Sequence, residues 1–320
     1  MPVGDFDGVL AVTAADAGYF GLLRDLMDSL DGAGLPLGIF DVGLTPDQRG
    51  WLEARGCTLV IPGWDVDFPG RDRMPSHYRS LASRPHVPRH FPGYDIYLWL
   101  DSDLWVQDQA VLRWYVDAAR RGNLAIVPEL DRSYWTVRKP PKLWGQNQKA
   151  FAWSYGVRAG YRLGRNPILN GGAWALRAGA PHWDAWAKAH DEALNRRSWW
   201  RRPSGPQNFY MCLSEQTALN KVVYGGRLPT TFLPALANWF CGKGAPWWDA
   251  ERRVLVEPNA PYTPLGIVHL AGAGMKTRVW DLTVLQGGTL TTVLSRSAVR
   301  ESAGLTARPG AESVGLEPVG

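Results

Sequence analysis

The sequence predicts an α/β fold: a mostly parallel central sheet flanked by helices. Three observations carry the prediction. Short apolar, β-branched runs alternate with segments of helical periodicity, the order that builds a layered α/β domain. The run at residues 96–100, Ile-Tyr-Leu-Trp-Leu, contains no charged residue, as a strand covered on both faces requires. Directly after it stand Asp101 and Asp103, at the carboxyl end of the strand, where open α/β sheets bind their ligands.

Residues 8–13 read as the first strand, residues 14–18 as a turn, and Tyr19, Leu23, Leu26, Met27 and Leu30 as one face of a helix. The turn is neither a GxGxxG nor a P-loop, so phosphates are not cradled there. Asp16 is either the N-cap of that helix or an acceptor for a base edge, with Tyr19 stacking on the base. Residues 37–41 form a second strand, Thr45-Pro46 opens a helix that Gly56 closes, and residues 57–61 form a third strand. This β-α-β-α-β order implies a parallel, doubly wound sheet.

Residues 62–93, rich in Pro, Arg and His, read as a long irregular connection of the functional kind. Pro88 separates His86 from His90 and argues against a helical metal pair. Arg79 or Arg84 is placed to reach a donor phosphate or sugar, solvation being the ordinary alternative. A helix over 110–121, a strand over 124–127 and a helix over 147–157 follow. Residues 168–176 read as a turn at Asn170-Gly171-Gly172 feeding a strand, the paired glycines allowing close approach of a ligand. A helix spans 182–194. Another opens at Ser214 with the serine as cap, Glu215 facing the dipole and Gln216 the reaction centre. Residues 195–212 and 234–250 read as loops heavy in Trp, Arg and Pro. A strand at 266–270 delivers His269 into Ala271-Gly272-Ala273-Gly274-Met275-Lys276. One domain is expected over residues 1–280, and over 281–320 an extension weakly ordered at its end.

Composition narrows the function. The net charge of +5 is mild and favours an anionic ligand such as a nucleotide, while no Lys/Arg run of nucleic-acid type exists. Cys57, Cys212 and Cys241 are far apart, so neither a disulfide framework nor a zinc site is expected, and a reducing cytoplasm fits. No leader and no spanning segment is read, which leaves at most peripheral membrane contact. Most of the 17 tryptophans are expected in the core, with a few left as platforms for a sugar acceptor. Asp101 and Asp103 repel each other unless a cation lies between them. A hard divalent ion bridging to a substrate diphosphate suits them; a strand-end turn with a capping Asp is the plainer alternative.

Five pieces in order resemble the GT-A class of nucleotide-sugar glycosyltransferases, and within it the family-8-like branch. They are Ala14-Ala15-Asp16-Ala17-Gly18-Tyr19, Leu100-Asp101-Ser102-Asp103, Leu169-Asn170-Gly171-Gly172, Glu215-Gln216 with Ala218-Leu219-Asn220, and His269-Leu270-Ala271-Gly272 leading to Lys276. The resemblance implies a Rossmann-like nucleotide-diphospho-sugar transferase fold and hexosyl transfer from a UDP-linked donor. The acceptor would be a glycan or lipid-linked saccharide, and transfer would proceed with retention. It implies Mn²⁺ or Mg²⁺ on Asp101, Asp103 and His269. Asp16, Tyr19, Ala14, Asp101, Ser102, Gly272 and Lys276 would bind the nucleotide; Asp103, Gln216, Glu215 and Asn170 would serve the chemistry. The rivals are a non-catalytic carbohydrate-binding protein on a degenerate fold of this class and a sugar-1-phosphate nucleotidyltransferase. The latter wants a Gly-rich basic loop after the first strand, which residues 14–18 lack.

Overall fold

The structure, a computed structural model, describes residues 6–138, 140–196, 209–272 and 274–305. In chain order the first strands are β1 (Val9–Ala15), β2 (Leu37–Asp41), β3 (Thr58–Val60), β4 (Ile96–Leu100), β5 (Leu104–Val106), β6 (Leu124–Pro128) and β7 (Leu169–Arg177). They are followed by β8 (Thr230–Phe232), β9 (Trp239–Phe240), β10 (Trp247–Asp249), β11 (Val254–Val256), β12 (Ile267–His269), β13 (Val279–Thr283) and β14 (Thr289–Val293).

Seven strands form the central sheet, in the order β3-β2-β1-β4-β7-β6-β8. All neighbours are parallel except β7, which runs antiparallel between β4 and β6. The expected doubly wound parallel sheet therefore holds for its first half and is mixed in its second. Along β4 the side chains alternate: Ile96, Leu98 and Leu100 enter the core under the helices Phe20–Leu30 and Ala110–Arg120, while Tyr97 and Trp99 enter the opposite core. In that second core Trp99 stacks on Trp174 with centroids 5.9 Å apart, and Trp183 and Trp186 of the His182–Asn195 helix close around them. Among the described residues nine tryptophans are buried, four of them in this core.

A second sheet, β5-β12-β9, abuts the first. Residues 101–103 are the step by which the chain leaves one sheet and enters the other. Beyond it, the β13–β14 hairpin and the helix Arg296–Ser302 pack Trp280, Leu282 and Val299 into a third core. The weak order expected at the chain end falls on 306–320, outside the described residues; of the stretch 195–212 expected as a loop, 197–208 also lies outside them and Phe209–Cys212 is a short helix.

Several expectations need correction. Gly171 and Gly172 lie inside β7, not in a turn before it, because their lack of side chains is used against neighbours and not for bending. The connection at 62–93 holds two short helices, Tyr78–Ser83 and Val87–His90, joined by a 3₁₀ turn at Arg84–His86, with Pro85 in the first turn of the 3₁₀ segment and Pro88 in that of the second helix, where a missing N–H costs nothing. The helix expected at 147–157 runs Pro140–Tyr155, stops at Gly156 (φ +98°) and restarts as Val157–Leu163. Ser214 does not cap its helix: Leu213 holds that position, and the Ser214 hydroxyl donates to Met211 O at 2.7 Å. The stretch 234–250 is not all loop, since β9 and β10 lie in it.

Candidate active site

Three backbone registers converge on residues 101–103. Asp101 N donates to Gly172 O at 2.8 Å, which ties the end of β4 to β7. Antiparallel pairing sets His269 opposite Leu104, and Leu270 N donates to Asp103 O at 2.9 Å. The imidazole is thereby delivered to the aspartates: His269 Nε2 lies 3.2 Å from Asp103 Oδ1 and 4.0 Å from Asp101 Oδ2. The ligand atoms of the three residues fall within 4.8 Å of one another.

The orientation of the ring follows from its neighbours. Gly172 N donates to Asn170 Oδ1 at 2.8 Å, which fixes that atom as oxygen. Asn238 Nδ2 donates to the same oxygen at 2.8 Å, so Asn238 Oδ1 is the atom 2.9 Å from His269 Nδ1. A neutral His269 must then carry its proton on Nδ1. Its Nε2 is buried, makes no hydrogen bond, and turns a lone pair toward carboxylate oxygens. Lone pairs facing each other at this range are a poor arrangement without a cation between them. Two carboxylates and one imidazole form a donor set suited to Mn²⁺, and to Mg²⁺ less well because of the nitrogen. The residues present fit a divalent ion.

Cationic side chains flank the cluster. Burial alone raises the Asp103 carboxyl, but the His269 ring, when it carries a proton on Nε2, and the Lys276 ammonium outweigh it and hold it well below the usual carboxylate range. Lys276 Nζ is 2.9 Å from Asp103 Oδ2 and 5.1 Å from the ring centroid of Tyr19. On the other side the buried Arg84 lies over Trp99, pairs with Asp101, and donates to Glu215 Oε2 at 2.9 Å. Glu215 is 1% exposed and its Oε1 has no partner, so burial pushes its pKa up to about 7 against the pull of Arg84.

A cavity of about 660 Å³ opens over the cluster, with Asp101, His269, Asn170, Gln216 and Gly272 on its wall. Gln216 Oε1 accepts from Gly171 N at 2.9 Å and from Asn170 Nδ2 at 3.4 Å. The far wall carries Trp135, Lys243 and Glu129. Lys243 pairs with Glu129, whose other oxygen accepts from Asn170 Nδ2 at 3.0 Å.

Of the residues expected here, Asp101, Asp103, His269, Asn170, Gln216, Gly272 and Lys276 come together. Asp16, Ala14 and Tyr19 lie at the end of β1, off the cavity wall, joined to the cluster through Lys276; Asp16 Oδ1 accepts from Tyr19 N at 3.0 Å. Ser102 is buried in the turn, and Glu215 lies beneath the cavity floor. Sequence reasoning missed Asn238, Glu129, Lys243 and the choice of Arg84 over Arg79. Glu129 had a readable signal, since it follows β6 as Asp101 follows β4; the other three are visible only in three dimensions.

No protein-family model and no curated protein sequence matches the chain. Among solved structures, the galactosyltransferase LgtC in complex with donor and acceptor sugar analogues superposes with a TM-score of 0.51 at 16% identity. That match covers 93% of this chain and 97% of LgtC. A Gln-to-Glu active-site mutant of LgtC gives the same TM-score and coverage at 15% identity. At such identity the likeness is one of fold: the chain has the GT-A glycosyltransferase fold.

Proposed function

We propose that this GT-A chain is a metal-dependent glycosyltransferase. It moves a hexose from a nucleotide diphosphate sugar, UDP-linked, to a glycan or lipid-linked saccharide acceptor. The observation that carries the reading is the meeting of Asp101, Asp103 and an Asn238-oriented His269 beside a cavity large enough for a sugar, with Asp101 and His269 on its wall. LgtC, with its donor and acceptor analogues, supports the substrate class.

Asp101, Asp103 and His269 are the residues to hold Mn²⁺ or Mg²⁺. Such an ion, when bound, draws off the charge that grows on the departing diphosphate. Lys276 adds a positive charge on the same side, on the path from Tyr19 to Asp103. Asp16 and Tyr19 hold the base, with Ala14, Ser102 and Gly272 as the small residues alongside. Asn170 and Gln216 run along the donor sugar, and the Gln216 carbonyl oxygen steadies an oxocarbenium-like centre in transfer with retention. Arg84 fixes Asp101, and Glu215 fixes Arg84. Trp135, 43% exposed at the cavity wall, offers an apolar face to an acceptor ring.

A thermal-shift screen of nucleotide sugars with and without Mn²⁺ tests the reading, because a ligand of the folded state raises Tm by mass action. A metal-dependent rise with UDP-sugars is expected, and Asp103→Ala abolishes it along with donor turnover. A fully active, folded Asp103→Ala protein would remove the metal from the reaction.

A further inference from the structure

From Arg132 to Trp183 the chain carries nine Lys and Arg and not one Asp or Glu. A chain of mild net charge thus concentrates its positive charge in one segment, and that segment includes the helix pair beside the cavity. The helix Pro140–Tyr155 supplies Gln146, Asn147 and Ala150 to the cavity wall. The next helix, Val157–Leu163, lies close on its outer side. A Cβ at Gly160 would come 2.6 Å from Gln148 O, and one at Gly164 would come 2.5 Å from Gln148 Cα, so only glycines allow this approach.

With the glycine side spent on packing, the rest of the outer surface of Val157–Leu163 is bare. Val157 and Tyr161, four residues apart and on one side of the helix, are 71% and 62% exposed. Arg158 and Arg162, also four apart, lie one step round, and Arg165 stacks on Tyr161 with Cζ 3.9 Å from the ring centroid. All three arginines are exposed, and none forms an ion pair with the described residues. Unpaired cations bordering protruding apolar and aromatic side chains are the composition of a surface that seats on anionic headgroups with its apolar edge in the interface.

We propose that this face docks the protein peripherally on a membrane bearing anionic lipid. Among the described residues no helix is long and apolar enough to cross a membrane. Docking by the outer helix sets the cavity one helix layer from the lipid surface. The consequence for a lipid-borne acceptor rests on the transferase reading; the docking itself does not.

The test is co-sedimentation of the full chain with vesicles of phosphatidylcholine alone or mixed with phosphatidylglycerol. Binding only to the mixed vesicles is expected, with loss at about 1 M salt, where charge interactions are screened beyond about 3 Å. Each arginine near such a surface accounts for about a fivefold gain, so Arg158→Gln, Arg162→Gln and Arg165→Gln together weaken binding about a hundredfold. Val157→Ser with Tyr161→Ser also weakens it. Both sets leave circular dichroism and nucleotide-sugar turnover unchanged. Equal sedimentation with neutral vesicles, or wild-type binding by the triple variant, overturns the proposal. So does an effect of the arginines alone coupled to equally tight binding of a soluble polyanion such as heparin, which would make the face a polyanion site. Absence of nucleotide-sugar turnover in the wild-type chain, whatever its vesicle binding, bears on the transferase reading and not on the docking.

Discussion

Removing the Arg84 guanidinium with Arg84→Met tests whether the cluster rests on a buried ion bridge. Arg84 pairs with Asp101 and donates to Glu215, and Glu215 is almost wholly buried with one carboxylate oxygen already unpartnered. Deleting the cation leaves a buried carboxylate without its counter-charge, which costs about 3–5 kcal/mol. That is a large part of the about 5–15 kcal/mol that a domain commands. The loss depends on pH in a defined direction. Burial raises the Glu215 pKa in the folded protein to about 7 from an ordinary 4.5, so its protonated form favours folding. That contribution is full below the unfolded value and is lost as pH rises through about 7. Without Arg84 the folded pKa rises further. At about pH 5 the variant therefore keeps Glu215 neutral, and the penalty shrinks to that of lost hydrogen bonds, about 1 kcal/mol each. At about pH 8 the wild-type carboxyl is ionised beside Arg84 while the variant must keep it protonated, so the loss is larger by up to about 1.4 kcal/mol. Urea titrations of wild type, Arg84→Met and Arg84→Met/Glu215→Gln at both pH values provide the assay, with the double variant regaining most of the loss at high pH. An equal loss at the two pH values, or no rescue by Glu215→Gln, would refute the bridge.

Three other outcomes are expected. A Cβ in Gly172→Ala would overlap the His269 ring and come 2.9 Å from both Asn170 Oδ1 and Asp101 Oδ2. That variant should lose about 1–3 kcal/mol by overpacking and also lose Mn²⁺ binding by calorimetry, whereas Gly179→Ala, with nothing within 4 Å, should do neither. Asn238→Ala leaves His269 Nδ1 without its acceptor, so Mn²⁺ affinity should fall about 10–100-fold while donor affinity in the absence of metal holds. Lys276→Met removes the ammonium beside Asp103, and UDP affinity should drop while Mn²⁺ binding, freed of a competing cation, is kept or strengthened; weaker Mn²⁺ binding would count against the placement of Lys276.

The sequence by itself determined the layered α/β architecture, because the pattern of buried strand and amphipathic helix is written residue by residue. It also located Asp101 and Asp103, since the carboxyl end of an all-apolar strand is a position that pattern alone identifies. The resemblance to GT-A enzymes brought in His269 and Lys276, whose partnership with Asp103 then follows from register: β12 lies antiparallel to β5, with His269 opposite Leu104. Only the tertiary structure decided the direction of β7, the use of Gly172 as clearance for an imidazole, and the choice of Arg84 over Arg79. It alone brought Asn238 to His269 and Lys243 to Glu129. Those features depend on contacts between residues 17 to 131 positions apart. Local periodicity specifies which face of an element is buried; it carries no information about which distant side chain will be waiting there.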